Sequence, residues 1–389
     1  DYVVVVRGSI FSAEKTRPDF HEPQNFNLET ARSIASGVSV PVFLQGSVTS
    51  VADAESIVSS GAIAGVEMTR AMLADAKLIA KLQADRTQDI RPCILCNQTC
   101  QVRDGRNPII TCVVNPSTGH ELEDADLYAP VSVRQNVAVI GGGVAGLETA
   151  RIAAARGHNV TVYERGSIGG VAAAAGPGAI FVDYLKQQCA RHQVTFKTNS
   201  EITSENLRSK IEPDSIVIQA TGSKAGVRRY TIDSGANVID IADLRAGRVS
   251  LPADGTIAIF DPIGGPIAIA LAEELGSRAL LITQDNIAGN ELARSGDLAP
   301  ANARLAQKGV HVERRQLLRL VTASSVLLED RFSGEKRTLQ CTALVDCGFR
   351  LPTDPIAGVS QIVGDCVAPR TIMESVLEAR RAAIAIGVR

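Results

Sequence analysis

The sequence predicts an α/β protein built on parallel sheets, and three observations carry that prediction. Residues 1–88 alternate short apolar runs with helical stretches, four cysteines crowd a segment without hydrophobic period, and a glycine-rich turn follows a strand near residue 140. Strands that alternate with helices at this spacing form βα units. We therefore expect part of a (β/α) barrel, a cysteine segment and two Rossmann-like nucleotide-binding folds.

Composition bounds the domain number and the partners. The chain has 389 residues, of which 45% are hydrophobic and 21% charged, and its formal net charge is -2. At roughly 150 residues per domain, this length predicts two or three domains. The near-neutral charge predicts no basic surface for nucleic acid. The sequence also lacks the run of about 18 apolar residues that a membrane span requires. Nucleic acid and membrane are therefore not expected partners.

The first 88 residues predict three βα units. The apolar runs YVVVV, VPVFLQ and AGVEM are each followed by a helical stretch, the last of which is AMLADAKLIAKLQAD. Such runs are expected when both faces of a parallel sheet are covered. Three units cannot close a barrel, so a fragment of a larger (β/α) barrel is preferred over a small open sheet. Because the chain opens directly on a strand, we expect it to be the C-terminal portion of a longer protein.

The segment 89–134 carries four cysteines with the spacing C-x2-C-x3-C-x11-C, namely Cys93, Cys96, Cys100 and Cys112. Three closely spaced thiolates can bind one face of a cubane, and a fourth after a loop reaches the remaining iron. Structural zinc more often uses two C-x2-C pairs. The spacing therefore favours a [4Fe-4S] cluster over zinc. The chain's eight cysteines do not form the pattern of a secreted disulfide framework, so we expect a cytoplasmic protein.

A glycine turn begins the next predicted fold. Gly141, Gly143 and Gly146 form G-x-G-x-x-G directly after a strand, and Glu164 ends the following strand. The first glycine permits a tight turn, the second lets the backbone approach a pyrophosphate, and the third lets helix pack on strand. This pattern predicts an adenine dinucleotide or ADP, and the acid at 164 argues against a 2′-phosphate.

A second unit of similar shape begins near residue 256, but its turn is altered. The turn reads DPIGGP at 261–266, and the next strand ends without an acid. The sequence leaves open whether this fold binds NAD(P)H or has kept its shape and lost its ligand.

Three motifs together resemble a known family. CILCNQTC at 93–100, CVVNP at 112–116 and VIGGGVAGLETARIAAARGHNVTVYERG from Val139 resemble the NADH:flavin oxidoreductases with an iron-sulfur cluster. That family includes 2,4-dienoyl-CoA reductase, trimethylamine dehydrogenase and histamine dehydrogenase. The resemblance implies the following domains: the C-terminal part of an FMN-binding (β/α)8 barrel at 1–88, a [4Fe-4S] segment at 89–134, a discontinuous FAD- or ADP-binding domain at 135–250 and 342–389, and an inserted second nucleotide-binding-like domain at 251–341.

The resemblance also implies ligand residues. The cluster ligands would be Cys93, Cys96, Cys100 and Cys112. The contacts to the FMN phosphate would be Gly46, Ser47, Thr69 and Arg70. The contacts to FAD or ADP would be Gly141, Gly143, Gly146, Glu164, Thr221, Gly222 and Asp365. The sequence identifies no catalytic residue, because the family places its acids and bases on earlier barrel strands.

The implied function is electron transfer between FMN and a second redox partner through a [4Fe-4S] cluster. The altered second turn favours a dehydrogenase with a small-molecule donor and an external acceptor, which could be an electron-transfer protein. Two alternatives stay open: an NAD(P)H-dependent reductase of the enoate or 2,4-dienoyl-CoA type, and a free-standing electron-transfer module. Assembly into a homo-oligomer is also left open.

Overall fold

The computed structural model describes residues 1–9, 11–101, 110–124, 127–174 and 176–387. Parts of the predicted cluster segment, residues 102–109 and 125–126, thus lie outside the described residues. The chain forms two compact units. Unit 1 contains residues 1–223 and 352–389, and unit 2 contains residues 224–351.

Unit 1 opens with a parallel sheet in the order β1-β2-β3. Its strands are β1 Val3–Val5, β2 Val42–Gln45 and β3 Gly65–Glu67. The helices of this part are α1 Ala13–Thr16, α2 Leu28–Ala35, α3 Val51–Ser59, α4 Thr69–Ala74 and α5 Leu78–Gln83. The prediction of parallel strands joined by helices is confirmed here, whereas their membership of a larger (β/α) barrel stays a prediction.

The stretch AMLADAKLIAKLQAD, expected to be one helix, divides into α4 and α5 at Asp75. The carboxylate of Asp75 accepts hydrogen bonds from the backbone N–H of Lys77 at 3.1 Å and of Arg91 at 2.8 Å. It also accepts one from Lys81 Nζ at 2.5 Å. A short acidic side chain that binds nearby backbone N–H groups competes with the helix, which explains the break. The same carboxylate fixes the start of the cysteine segment.

The glycine-turn fold of unit 1 follows. Its first elements are β4 Asn136–Ile140, α6 Val144–Ala155, β5 Asn159–Tyr163, α7 Gly170–Ala173, α8 Gly178–Arg191, β6 Thr195–Lys197, α9 Leu207–Lys210 and β7 Ile216–Gln219. Strands β4 and β7 are almost entirely buried, as expected for parallel strands covered on both faces.

Unit 2 contains a five-stranded parallel sheet in the order β10-β17-β11-β12-β13 and a four-stranded sheet in the order β16-β15-β14-β9. In the second sheet β14, β15 and β16 are antiparallel, and β9 pairs with β14 in parallel. The elements from residue 223 to 352 are β8 Ser223–Ala225, β9 Thr231–Ile232, β10 Val238–Asp240, α10 Ile241–Arg245, β11 Ile257–Asp261, α11 Pro266–Leu275, β12 Ala279–Thr283, α12 Leu298–Gln307, β13 His311–Glu313, β14 Gln316–Val321, β15 Ser325–Asp330, β16 Lys336–Gln340, β17 Ala343–Asp346 and β18 Arg350–Pro352. Unit 2 extends beyond 251–341 at both ends, because β10 and β17 are strands of its sheet.

The chain returns to unit 1 with β19 Gln361–Ile362 and α13 Ile372–Ala385. Strand β19 completes a second parallel sheet in the order β19-β7-β4-β5-β6. The side chain of Thr371 accepts a hydrogen bond from the backbone of Met373, and Glu374 closes a capping box at the start of α13. Helix α13 packs on α6 in one core that also contains Val113 and Val114 of the cysteine segment. Among the described helices, none is both long and apolar enough to cross a membrane.

Candidate functional site

The four predicted ligand cysteines line one small cavity in unit 1. Arg70 and Asn97 contribute polar groups to its wall, and Leu73 contributes apolar surface. Leu95 and Asn97 have positive φ angles of 53° and 52°, and this left-handed backbone turns the chain tightly around the thiols. The short loop from 93 to 100 and the residue at 112 therefore converge, as their spacing predicts.

Burial is the main influence on these thiols. It raises the pKa of Cys93 to about 11 and that of Cys96 to about 12, and it raises the pKa of Cys100 and Cys112 as well. The backbone N–H of Leu95 donates to Cys93 Sγ at 3.4 Å. Four thiols kept protonated in an apolar cavity are poor nucleophiles, but they become thiolates when a metal replaces their protons. The donor set therefore fits a buried metal centre.

Arg70 joins the first sheet to the cysteine cavity. Its Nη1 donates to the carbonyl oxygen of Pro18 at 2.7 Å and to Asn97 Oδ1 at 2.8 Å, and its Nη2 donates to Ser47 Oγ at 2.5 Å. Arg70 also opposes the burial-driven rise in the pKa of Cys93 and Cys100. The guanidinium thus lies between Ser47, a predicted phosphate contact, and the predicted metal ligands.

The other predicted phosphate contacts are arranged less directly. Ser47 has a φ of 59°, and a Cβ on the preceding Gly46 would lie 3.3 Å from the backbone nitrogen of Asn27. The hydroxyl of Thr69 donates to Glu67 Oε1 at 2.6 Å. The structure therefore brings Ser47 and Arg70 into contact, whereas the hydroxyl of Thr69, at the start of α4, binds Glu67 at the end of β3.

The first glycine turn has the geometry that a dinucleotide site requires. A Cβ on Gly141 would lie 2.2 Å from the carbonyl oxygen of Ala220, and one on Gly146 would lie 1.9 Å from that of Gly141. Neither position accepts a side chain. Gly143, in contrast, has open space where its Cβ would be, immediately before helix α6. Its exposed backbone is the surface that a pyrophosphate would approach.

Glu164 is oriented toward this turn by the backbone. Its Oε2 accepts the N–H of Gly142 and its Oε1 accepts the N–H of Gly166, both at 2.8 Å. A carboxylate offers about four lone-pair positions. Two are therefore left for ribose hydroxyls.

Thr221, Gly222 and Asp365 lie at the same edge of the sheet. The hydroxyls of Thr221 and Thr353 are 2.6 Å apart, whereas Gly222 has a φ of 78° and open space beside it. A Cβ on Gly364 would lie 2.6 Å from the Cβ of Ala145, which places Asp365 beside the start of α6. Asp365 thus lies beside the helix that follows Gly143, Gly222 leaves open space at the same edge of the sheet, and Thr221 is bound to Thr353.

The altered turn of unit 2 contains its own anion. Asp261 Oδ1 accepts the backbone N–H groups of Gly264 at 2.8 Å and Ile263 at 3.2 Å. Its buried Oδ2 has no hydrogen-bond partner among the described residues. Burial, the largest influence, raises the pKa of Asp261 to about 6. The amide groups that a phosphate would use in an intact turn therefore face a protein carboxylate.

One buried group escaped the sequence analysis. Glu148 on α6 is fully buried among the guanidinium groups of Arg91, Arg151 and Arg380. The E-x-x-R pair of Glu148 and Arg151 within an apolar helix was a visible signal. Arg91 and Arg380 carried none, because each reaches Glu148 only through the tertiary fold.

Comparison with known proteins supports the fold and a redox character. The family described as pyridine nucleotide-disulphide oxidoreductase matches residues 112–261. The chain is 33% identical over 252 residues to a metal reductase of Desulforamulus reducens, with 62% of this chain and 37% of the relative covered. It is 32% identical over 310 residues to a probable N-methylproline demethylase of Rhizobium meliloti, with 73% and 43% covered. The chain thus spans less than half of each of these relatives.

A solved structure shows the same fold. Histamine dehydrogenase from Rhizobium sp. 4-9 superposes with a TM-score of 0.87 and 23% identity, and the match covers 100% of this chain and 61% of that protein. The α/β prediction is confirmed by this likeness and by the parallel sheets. The sequence relatives carry the names of oxidoreductases.

Proposed function

We propose that this chain is the cluster- and nucleotide-binding part of a flavin and iron-sulfur oxidoreductase. In this proposal, electrons pass between FMN in a barrel and a second redox partner through a [4Fe-4S] cluster. The enzyme would act as a dehydrogenase with an external electron acceptor.

The observation that carries the proposal is the contact network of Arg70. One guanidinium binds Ser47 at the end of β2 and Asn97 between two of the cavity cysteines. A group held at Ser47 and a metal centre held by the cysteines would therefore be neighbours. Such proximity suits electron transfer and has no evident purpose for an isolated zinc site.

The residues of this chain have distinct tasks in the proposal. The four cysteines would bind the cluster as thiolates, while the apolar wall excludes water and Arg70 supplies positive charge. Ser47 and Arg70 would orient the FMN phosphate. When bound, the flavin would accept two electrons from a donor and the cluster would carry them singly.

The first nucleotide site would hold FAD or ADP. Gly143 and Gly222 leave room for the pyrophosphate, and Glu164 keeps acceptor capacity for the ribose. The turn in unit 2 favours the dehydrogenase direction. A dinucleotide phosphate there would meet the carboxylate of Asp261 instead of free N–H groups, and like charges repel at short distance.

The donor is proposed to be an N-methylated amine and the acceptor an external carrier. One relative is named as a probable N-methylproline demethylase, which supports an amine donor. Another is named as a metal reductase, which supports transfer of electrons to an external acceptor.

Anaerobic mixing of the full-length protein with NADH, with NADPH and with N-methylated amines tests the direction. We expect bleaching of the flavin absorbance by an amine and none by either nicotinamide nucleotide. Rapid bleaching by NADH or NADPH would contradict the dehydrogenase direction and favour an NAD(P)H-dependent reductase.

A further inference from the structure

Unit 1 contains a buried charge cluster, defined here as Arg91, Glu148, Arg151 and Arg380, whose exposed fractions are 4%, 0%, 2% and 1%. Arg151 contacts Glu148 through Nε at 2.7 Å and Nη2 at 2.9 Å. Arg380 Nε lies 2.9 Å and Arg91 Nη2 lies 3.6 Å from Glu148 Oε1. Burying four charges is costly, and well-packed hydrophobic side chains of similar volume often give equal or greater stability. The cluster therefore calls for a purpose beyond packing.

Positive charge is in excess in this cluster. Three guanidinium groups face Glu148, and within the described part of the chain the next acid is the partly exposed Asp124, 3.5 Å from Arg380 Nη1. Although burial alone raises the pKa of Glu148, Arg151 and Arg91 lower it well below its usual range, so the carboxyl is ionised. Arg91 also lies 5.1 Å from the ring centre of Tyr184 and 5.6 Å from that of Phe181, whose π faces tolerate a buried cation. Among the described residues, the three guanidinium groups outnumber by one the two carboxylates that contact them, those of Glu148 and Asp124.

The excess charge faces the segment that carries Cys112. Arg91 Nη1 donates to the carbonyl oxygen of Val114 at 2.6 Å. Arg380 Nη2 donates to Asn115 Oδ1 at 3.0 Å, and Asn115 in turn forms a β-bridge with Cys112. Arg380 Nη1 donates to Ser117 Oγ at 2.5 Å. Both arginines thus donate hydrogen bonds to the residues directly after Cys112, the fourth predicted ligand.

The hydrogen bonds of Arg380 connect the segment after Cys112 to the glycine-turn fold. Arg380 lies on α13 and Glu148 lies on α6, which begins directly after Gly143. The segment 112–117 is therefore bound to the helix that starts at the glycine turn. Cys112 is therefore connected to α6 through the contact of Arg380 with Glu148 and the contact of Arg380 with Asn115.

We infer that Arg91 and Arg380 are positioning residues of the proposed metal centre: they hold segment 112–117 against α6 and place positive charge beside it, which raises the reduction potential of the centre. This inference rests on the proposed function. A cluster with four thiolate ligands gains negative charge on reduction, so a nearby cation stabilises the reduced form.

Reduction potentials of three variants test the electrostatic half. Arg380→Gln removes the positive charge and Glu148→Gln removes the negative one. We expect the ratio of reduced to oxidised centre at a fixed potential to fall on the order of tenfold in Arg380→Gln, about 59 mV for one electron, and to rise in Glu148→Gln. Arg304→Gln is the matched control, because Arg304 is paired with Asp297 and Glu273 in unit 2, and its potential should not change.

Arg380→Lys protects the test against misfolding. Lysine keeps the positive charge but lacks the planar guanidinium group. We therefore expect the reduction potential to stay close to that of the parent protein while the contact with Asn115 weakens. Shifts of the same sign in Arg380→Gln and Glu148→Gln, or no shift in either, would overturn the electrostatic half.

Hydrogen exchange tests the docking half independently of the cluster. The backbone amides of 112–117 should exchange faster in Arg380→Gln than in the parent protein. Their exchange rates in Arg304→Gln should equal those of the parent protein. Equal exchange in all three would overturn this half. Should the parent protein contain zinc and no iron, the proposed function and the potential claim both fail, and exchange on the zinc protein still decides the docking claim.

Discussion

Arg70 Nη1 donates a hydrogen bond of 2.8 Å to Asn97 Oδ1, and this bond connects helix α4, which follows strand β3, to the loop between Cys96 and Cys100. Asn97 also donates through Nδ2 to the carbonyl oxygen of Arg17 at 2.7 Å. With a φ of 52°, Asn97 occupies a backbone region that asparagine tolerates better than most residues. The cysteine loop is therefore fixed by elements far from it in sequence.

Replacing Arg70 by lysine should loosen the metal centre. Lysine keeps the charge but cannot bind Pro18, Asn97 and Ser47 at once, since it lacks the planar fork. Loss of one charged hydrogen bond predicts release of iron to a chelator about tenfold faster than in the parent protein. The release rate is followed by absorbance.

Arg248→Lys is the control for that experiment. Arg248 forms an exposed ion pair with Asp243 in unit 2 and should leave the rate unchanged. Equal rates for Arg70→Lys and Arg248→Lys would show that Arg70 does not support the loop.

Cysteine replacements should separate ligand thiols from structural ones. Cys112→Ser removes a predicted ligand from the cavity, and we expect the iron content of the purified protein to fall more than about tenfold. Cys341→Ser replaces a lone buried cysteine whose pKa is raised to about 11 by burial, and its iron content should match that of the parent. Metal analysis of the two purified variants is the measurement. Equal iron content in both would exclude Cys112 as a ligand.

The glycines of the first turn should respond differently to alanine. Gly146→Ala forces a Cβ against the carbonyl oxygen of Gly141, so we expect a loss of about 1–3 kcal/mol in unfolding free energy. Gly143→Ala meets open space at a φ of -79° and should change stability by less than about 0.5 kcal/mol.

The same pair should differ in nucleotide content. Gly143→Ala should fold yet lose bound FAD or ADP, because its methyl group occupies the surface that the pyrophosphate approaches. Chemical unfolding and extraction of bound nucleotide check both effects. A folded Gly143→Ala protein with full nucleotide content would place the nucleotide elsewhere.

Asp261 should make stability depend on pH. Its pKa rises from 3.8 in the unfolded chain to about 6 in the folded one, so the folded state binds the proton more tightly. The contribution of this group is therefore most favourable below about pH 4, and about 3 kcal/mol of it is lost as the pH rises through about 6.

Asp261→Asn tests this dependence. Asparagine keeps an acceptor for the N–H groups of Ile263 and Gly264 and cannot ionise. We expect a higher unfolding midpoint than the parent at about pH 7.5 and a smaller gain at about pH 4.5. A gain that does not vary with pH would contradict a raised pKa.

The predictable parts of the molecule are those with local requirements. The glycine turn is predictable from the sequence because Gly141 and Gly146 each face a backbone oxygen that excludes any side chain, so that glycine is required at both positions. The set of four cysteines is predictable for the same reason, since three of them lie within eight residues. The parallel strands were recognisable from their apolar runs.

The remainder depends on contacts between distant segments. Arg380 and Glu148 are 232 residues apart in sequence, and no periodicity pairs them. Arg70 was expected at a phosphate, yet two of its nitrogen atoms also bind groups of the protein itself. At Asp75, where the helix breaks, the carboxylate also accepts the N–H of Arg91, sixteen residues later, a contact that no local pattern shows.

Cys93, Cys96, Cys100 and Cys112 are proposed to bind a [4Fe-4S] cluster. Iron, sulfide and zinc analysis of the full-length protein, purified without oxygen, tests it most directly. We expect about four iron and four sulfide per chain. One zinc per chain with neither iron nor sulfide would contradict it.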